Sequence, residues 1–239
     1  MQRLSSMNPL PVIVTGTIIP HASFVAISDP LVRRNQYVEA LSVLSHHSIV
    51  WFLENSDYDI DSDPTFRLPN LTVVRYPEYD PSWHALGKGY QEFRMLDSFL
   101  ARAEAPRRFI KLSGRRILLQ MDAFQARYQT PGLQWMDRWQ NDGFADTTFF
   151  CCDLDFYRQY LSGRYAEAND ADGRVIEHVI YDALRSAHGV QFHPFTPRFQ
   201  GYHGTSGNRM KGTRHIPTET RRLLRRLMGK TLLDKAIFG

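Results

Sequence analysis

Cysteine is nearly absent from this 239-residue sequence: Cys151 and Cys152 are its only two, and they are neighbours. Adjacent cysteines make a poor staple and match no zinc-ligand spacing, which excludes a disulfide framework and a Cys-based zinc site and leaves two reduced core residues. No stretch approaches the about 20 apolar residues of a membrane span, and the apolar run near the N-terminus is too short for a signal peptide, so a cytoplasmic protein is expected. A Walker A loop is missing as well, because Gly87-Lys88 is followed by Gly89 rather than by Ser or Thr. The nine histidines fall at no metal spacing, and there is no internal repeat or low-complexity segment.

What is present is ample core material, 43% hydrophobic and 13% aromatic, enough for one large domain or a domain with an appendage. The net charge of +4 is unevenly spread. From Arg209 onward nine Lys or Arg face only Glu219 and Asp234, so the tail carries +7 and the rest of the chain −3. Such a tail suits a polyanionic surface, anionic phospholipid or nucleic acid; the acidic body would repel a nucleic-acid backbone and so disfavours that partner. Residues 218–238 set Leu223, Leu224, Leu227 and Met228 opposite Arg222, Arg225, Arg226 and Lys230, an amphipathic helix for a membrane interface or for packing on the body. The expected division is a domain over 1–208 and a basic tail over 209–239.

Apolar runs and helical stripes alternate along the body. A first strand lies in 11–19, a helix over about 29–44 capped by Asp29 with Pro30 in its first turn, a strand over 49–53, and a third over 71–76. A helix over 92–104 and a strand over 108–113 follow. The second half holds a strand over 147–152, a helix from about Asp155 and another over 173–187. The alternation predicts an α/β fold, a mixed and mostly parallel sheet flanked by helices, with ligand at the carboxyl ends of the strands, where Thr15, Glu54 and Lys111 stand.

The chemistry gathers at those ends. In Lys111-Leu112-Ser113-Gly114-Arg115 a buried strand ends on two cations, a hydroxyl and a glycine that allows a tight turn, a combination that can hold phosphate. Gly87-Lys88-Gly89 offers a second cationic, glycine-relieved turn ahead of a helix. Glu54-Asn55-Ser56 can accept hydrogen bonds from a ribose or base. Glu177, near a helix start beside the apolar stripe, is either a general base or a carboxylate favoured by the helix dipole. Asp153-Leu154-Asp155 has the form of a metal-binding Asp-x-Asp, but a helix cap is the expected role. The loop 201–207, with His203 and Ser206, suits a lid or a carbohydrate contact.

In this order the motifs resemble small bacterial glycosyltransferases of the GT-A fold that build capsule, lipopolysaccharide or other surface glycans. The resemblance spans about residues 12–207. It rests on Thr15-Gly16-Thr17-Ile18, Arg34 with Gln36-Tyr37, Glu54-Asn55-Ser56, Gly87-Lys88-Gly89 with Glu92, Lys111-x-Ser113-Gly114-Arg115, Ile176-Glu177 and Gly204-x-Ser206-Gly207. An aromatic residue usually follows the Gly-Arg pair, and Arg116 stands there in this chain. The resemblance implies a GT-A-like (Rossmann-like) fold and sugar transfer from a nucleotide-sugar donor to a hydroxyl of a glycan or lipid-linked oligosaccharide. Lys111 and Arg115 would stand where metal-dependent relatives carry Asp-x-Asp, so no metal or other cofactor is expected, with Glu177 as base in an inverting displacement. Sequence leaves retention open. It also leaves open a metal-dependent nucleotidyl- or phosphotransferase, or a non-catalytic nucleic-acid- or membrane-binding module.

Overall fold

A computed structural model of the chain describes residues 8–21, 25–76, 80–203 and 206–211. The amphipathic helix expected over 218–238 lies outside the described residues. The fold is organised on β1 (Val12–Gly16), buried along its whole length. From it the chain passes through α1 (Pro30–His47) to β2 (Val50–Glu54), then β3 (Leu71–Arg75), and returns through α2 (Trp83–Leu100) to β4 (Arg108–Ser113) on the other side of β1. β2 and β4 both pair with β1 in parallel, Thr15 lying level with Leu53 and Ser113. Reversal of the strand order between β1 and β4 opens a crevice beyond their carboxyl ends, which is where α/β sheets take ligands.

The later chain adds β5 (Arg116–Leu118), α3 (Met121–Arg127), β6 (Gln134–Trp135), β7 (Arg138–Trp139), β8 (Phe144–Ala145), β9 (Phe149–Asp153), α4 (Leu154–Tyr160), α5 (Ile176–Ala183), β10 (Val190–Gln191), β11 (Phe199–Tyr202) and β12 (Arg209–Lys211). The seven-stranded sheet has the order β10-β6-β9-β4-β1-β2-β3, and only β9 runs against the others. β5, β11 and β12 form a small antiparallel sheet beside it, and β7 and β8 a two-stranded hairpin. The α/β architecture read from the sequence, a mixed and mostly parallel sheet flanked by helices, is the one the chain forms.

Side chains alternate across the central strands, and this decides which residues reach which layer. Val12, Val14, Ile110 and Leu112 pack with Tyr37, Leu41 and Leu44 of α1. Ile13 and Phe109 pack with Phe93, Leu96 and Phe99 of α2. Thr15, Lys111 and Ser113 share the parity of the second set and therefore point toward α2.

Several boundaries differ from expectation for local reasons. β1 stops at Gly16 because the next amides turn to side chains: Thr17 N–H donates to the Tyr37 hydroxyl (2.9 Å), Ile18 N–H to Glu54 Oε1 (2.9 Å) and Ile19 N–H to Ser56 Oγ (3.1 Å). Asp29 caps α1 as expected, accepting from Leu31 N–H at 2.8 Å. α2 begins earlier than expected and is broken at Gly87, whose φ of 91° and ψ of 175° are non-helical. A Cβ on Gly87 would lie 1.9 Å from Asp170 Oδ2, and one on Gly89 2.2 Å from Ile176 Cγ2, so this glycine pair lets α2 approach the 170–176 segment.

Asp153 stands at the N-cap position of α4, but its carboxylate does not cap the helix. It accepts instead from Arg108 Nη1 (2.6 Å), Gly132 N–H (2.8 Å) and Gln134 Nε2 (3.0 Å). Arg108 is nearly buried, and this acid neutralises it where β4 begins. Asp153→Ala should therefore lower stability by about 2 kcal/mol in urea denaturation, the worth of hydrogen bonds to a charged group. Gly89→Ala should also lower the melting temperature, through an overpacking cost of about 1–3 kcal/mol.

Candidate active site

A cleft of about 640 Å³ opens beyond the carboxyl ends of β1 and β4, between α1 on one side and α2 with the start of α5 on the other. Its floor is a buried ion pair. Lys111 is completely enclosed (0% exposed), and its ammonium lies 2.6 Å from Glu92 Oε1 and 2.6 Å from the Thr147 carbonyl and donates also to Ser113 Oγ. An ammonium has three N–H donors, and all three are used. Glu92, on α2, accepts besides from the Thr15 hydroxyl and from Ser113 Oγ (2.5 Å). Burial pushes the Glu92 carboxyl up, but the Lys111 ammonium and the two hydroxyls outweigh it, and its pKa lies below the ordinary value. The rings of Phe93 and Phe150 stand 5.5 and 5.8 Å from the ammonium.

Above this floor come further cations. Arg33 donates to the Thr17 carbonyl (2.9 Å from Nε), the Ile27 carbonyl (3.2 Å) and the Tyr37 hydroxyl (3.4 Å). Arg115, 3% exposed, is held by a hydrogen bond from Nη1 to Gln36 Oε1 and lies over the Tyr37 ring. Arg116 follows it in the chain and lies 5.9 Å from the Phe199 ring centre. Among the described residues none of these three guanidiniums forms an ion pair. Lys88 joins them on the lining of the cleft. Burial lowers its pKa, the charges of Arg33 and Arg115 lower it further, and Asp170 works the other way. Arg115 is likewise lowered, chiefly by burial, with Arg33 and Arg116 adding to the shift and Tyr37 opposing it. Like charges brought this close are costly without an anion between them.

Of the residues singled out in the sequence, Thr15, Gly16, Thr17, Asn55, Gly87, Lys88, Gly89, Glu92, Ser113, Gly114, Arg115 and Glu177 line this cleft. Asn55 accepts from Thr17 Oγ1 at 2.6 Å, and Glu177, in the first turn of α5, accepts from Thr147 Oγ1 at 3.4 Å. The others stand elsewhere. Lys111 forms part of the floor, where its donors are spent on protein acceptors and none is left for the direct phosphate contact expected of it. Arg34 turns away to Asp63 (2.7 Å), and its neighbour Arg33 takes the cleft, one residue being 100° of helix. Glu54 is fully buried and accepts from Ile18 N–H, Ser56 N–H (3.0 Å) and Ser56 Oγ. It fixes the loop after β1 and has no face left for a ribose. His203 and Ser206 are bonded to each other through Ser206 N–H and His203 Nδ1 (3.2 Å) and do not line the cleft.

Asp170 and Thr147 were not foreseen, because they come from short turns without a periodic pattern. Arg33 was legible in principle, since it sits one turn before Tyr37 on the buried face of α1. Asp153 pairs with Arg108, at the opposite end of β4 from Ser113, about 16.5 Å away at 3.3 Å per residue, so the Asp-x-Asp segment does not belong to this cleft. Among the described residues no three His, Cys, Asp or Glu come together as a metal site. No helix among them is long and apolar enough to cross a membrane.

No protein-family model matches the chain, and no curated protein matches it. Several solved structures are similar at low level. A Desulfovibrio desulfuricans G20 protein named as a nucleotide-diphospho-sugar transferase shares 12% identity over 78% of this chain and 80% of its own, with a TM-score of 0.47. HddC from Yersinia pseudotuberculosis shares 12% over 64% and 80%, at 0.36. A CMP:2-keto-3-deoxy-manno-octonic acid synthetase, solved with CTP, shares 12% over 76% and 87%, at 0.38. Likeness at this level assigns no chemistry, which has to be read from the cleft.

The buried pair makes a sharp prediction. Glu92→Gln strands a buried ammonium and should cost about 3 kcal/mol in urea denaturation, whereas Glu92→Gln with Lys111→Met should recover part of that loss. The depressed Glu92 carboxyl stabilises the fold fully above its unfolded pKa, about 4.3, and loses that contribution as pH falls through its lower folded value. Stability of the wild type should thus fall more steeply below about pH 4 than that of Glu92→Gln.

Proposed function

We propose that the protein is a glycosyltransferase that moves a sugar from a nucleoside-diphosphate donor to a hydroxyl of a glycan or lipid-linked glycan, by inversion and without metal. The observation that carries this reading is that Arg33 and Arg115, two buried guanidiniums, form no ion pair among the described residues. Both line the cleft and call for negative charge there, and Lys88, whose own charge Asp170 partly offsets, stands near them. A diphosphate supplies that charge, and bidentate guanidinium contacts suit its oxygens. In this reading Thr17 and Asn55 meet the nucleoside, and Glu92 with Lys111 fixes the hydroxyls of Thr15 and Ser113 under the donor.

Glu177 takes the proton from the acceptor hydroxyl. The acceptor oxygen bonds to the anomeric carbon as the bond from that carbon to the diphosphate oxygen breaks, and the electron pair leaves on the diphosphate. Its growing charge is met by cations already in position, which lowers the barrier without reorganisation. The tail beyond Arg209, with its excess of Lys and Arg, would keep the enzyme by anionic lipid, where lipid-linked acceptors of surface glycans sit.

Thermal denaturation of the full chain with a panel of nucleoside diphosphates, each in EDTA and in manganese, tests the reading. One nucleotide in EDTA, at about a hundredfold over its Kd, should raise the melting temperature by about 5 °C or more, and Arg115→Ala should abolish the rise. Glu177→Gln should keep the rise and lose sugar transfer. A response only in manganese would favour nucleotidyl or phosphoryl transfer, and none with any nucleotide would overturn the proposal.

A further inference from the structure

Arg115 and Arg116 are consecutive, and their side chains serve different halves of the cleft. Arg115 turns to α1, where Gln36 and Tyr37 hold it, and its electrostatic neighbours are Tyr37, Arg33, Arg116 and Tyr202. Arg116 begins β5, pairs through its backbone with Gly201, and rests beside Phe199. Its neighbours are instead the carboxylates of Asp146, Glu92 and Glu177. It lines the same cleft as Thr147, Thr148 and Glu177. It is half-buried, and among the described residues its guanidinium makes no hydrogen bond and no ion pair. Five N–H donors at the wall of a cleft, partly shielded from water, are poorly served by carboxylates that stand in range of its charge but beyond contact.

We infer that Arg116 forms a second anion subsite, in the Glu177 half of the cleft, and that the sugar bound there carries an oxyanion of its own, a carboxylate or a phosphate. The inference rests on the reading of the cleft as a donor and acceptor site. The diphosphate belongs with Arg33, Lys88 and Arg115, and the sugar lies between it and Glu177, so a substituent on that sugar comes to Arg116. A neutral hexose would bring only hydroxyls to a half-buried guanidinium. A hexuronate brings a planar carboxylate that the guanidinium fork matches in two hydrogen bonds. Phe199 limits the directions the fork can face, which favours a fixed partner over bulk water.

Calorimetric titration of the full chain in EDTA separates the sources. The donor arm compares UDP-glucose with UDP-glucuronate and GDP-mannose with GDP-mannuronate, pairs that differ only in a hydroxymethyl group against a carboxylate. The acceptor arm compares glucose with glucuronate and with glucose 6-phosphate. In at least one comparison the acidic member should bind about tenfold or more tightly at low salt, and Arg116→Gln should make the two members equal while Arg116→Lys keeps part of the difference. Arg116→Gln is first checked for an unchanged near-ultraviolet circular dichroism spectrum. If the nucleotides bind but no acidic member is preferred, or the preference survives in Arg116→Gln, the subsite is wrong and the donor reading stands. If no nucleotide binds, the donor reading has failed, and the acceptor arm alone decides: no preference for glucuronate or glucose 6-phosphate over glucose overturns the subsite.

Discussion

The contact between Lys111 and Glu92 is the constraint on which the cleft depends. It joins the end of β4 to the middle of α2 and, through shared hydrogen bonds, to Thr15 at the end of β1 and to the carbonyl that precedes β9. An enclosed lysine is costly, and the cost is met only if each donor finds an acceptor with good geometry. That requirement fixes four segments at once. It also hardens the floor, since two hydroxyls that would otherwise rotate freely are committed to one carboxylate oxygen.

Around this floor charges of both signs meet. Cations come from α1, from the start of the second half of α2 and from the β4–β5 turn, with Asp170 against Lys88 and with Asp146 and Glu177 in range of the Arg116 charge. The meeting follows from topology. β1 and β4 deliver their carboxyl ends to the crevice, and antiparallel β9 delivers its amino end to the same edge, so Thr147 and the acid before it arrive there although their strand runs the other way. Asp153, at the far end of that strand, is carried away from the chemistry by the same geometry and is spent on Arg108.

The central elements were legible because their signals are local. Apolar runs bounded by polar residues gave β1 to β4, and Asp29 with Pro30 gave the start of α1. Two-residue strands such as β6, β7, β8 and β10 carry no such pattern, because their pairing depends on distant partners and not on a period of their own. In the cleft, Gly87-Lys88-Gly89 and Ser113-Gly114-Arg115 were recognisable as phosphate-friendly residue types at strand and helix ends, and Glu177 as a carboxylate at a helix start. The exchange of Arg33 for Arg34 could be settled only by the phase of α1. The enclosure of Lys111 and Glu54 depended on which acceptors the folded chain brings to them, Glu92 lying nineteen residues before Lys111 and the Ile18 amide thirty-six residues before Glu54.

The side-by-side pairing of β1 with β4 joins Val12 to Ile110, almost a hundred residues later. During synthesis at about 5–20 residues per second, β1 and α1 wait roughly 5–20 s before the strand that completes their layer emerges. Throughout that interval the apolar β1 edge that will meet β4 is bare. Closing so long a loop is entropically slow, and such exposed edges are the usual starting points for chain-to-chain aggregation. For this chain the exposed interval runs from translation of α1 to translation of β4, and the edge is covered once β4 brings the Lys111 ammonium to Glu92.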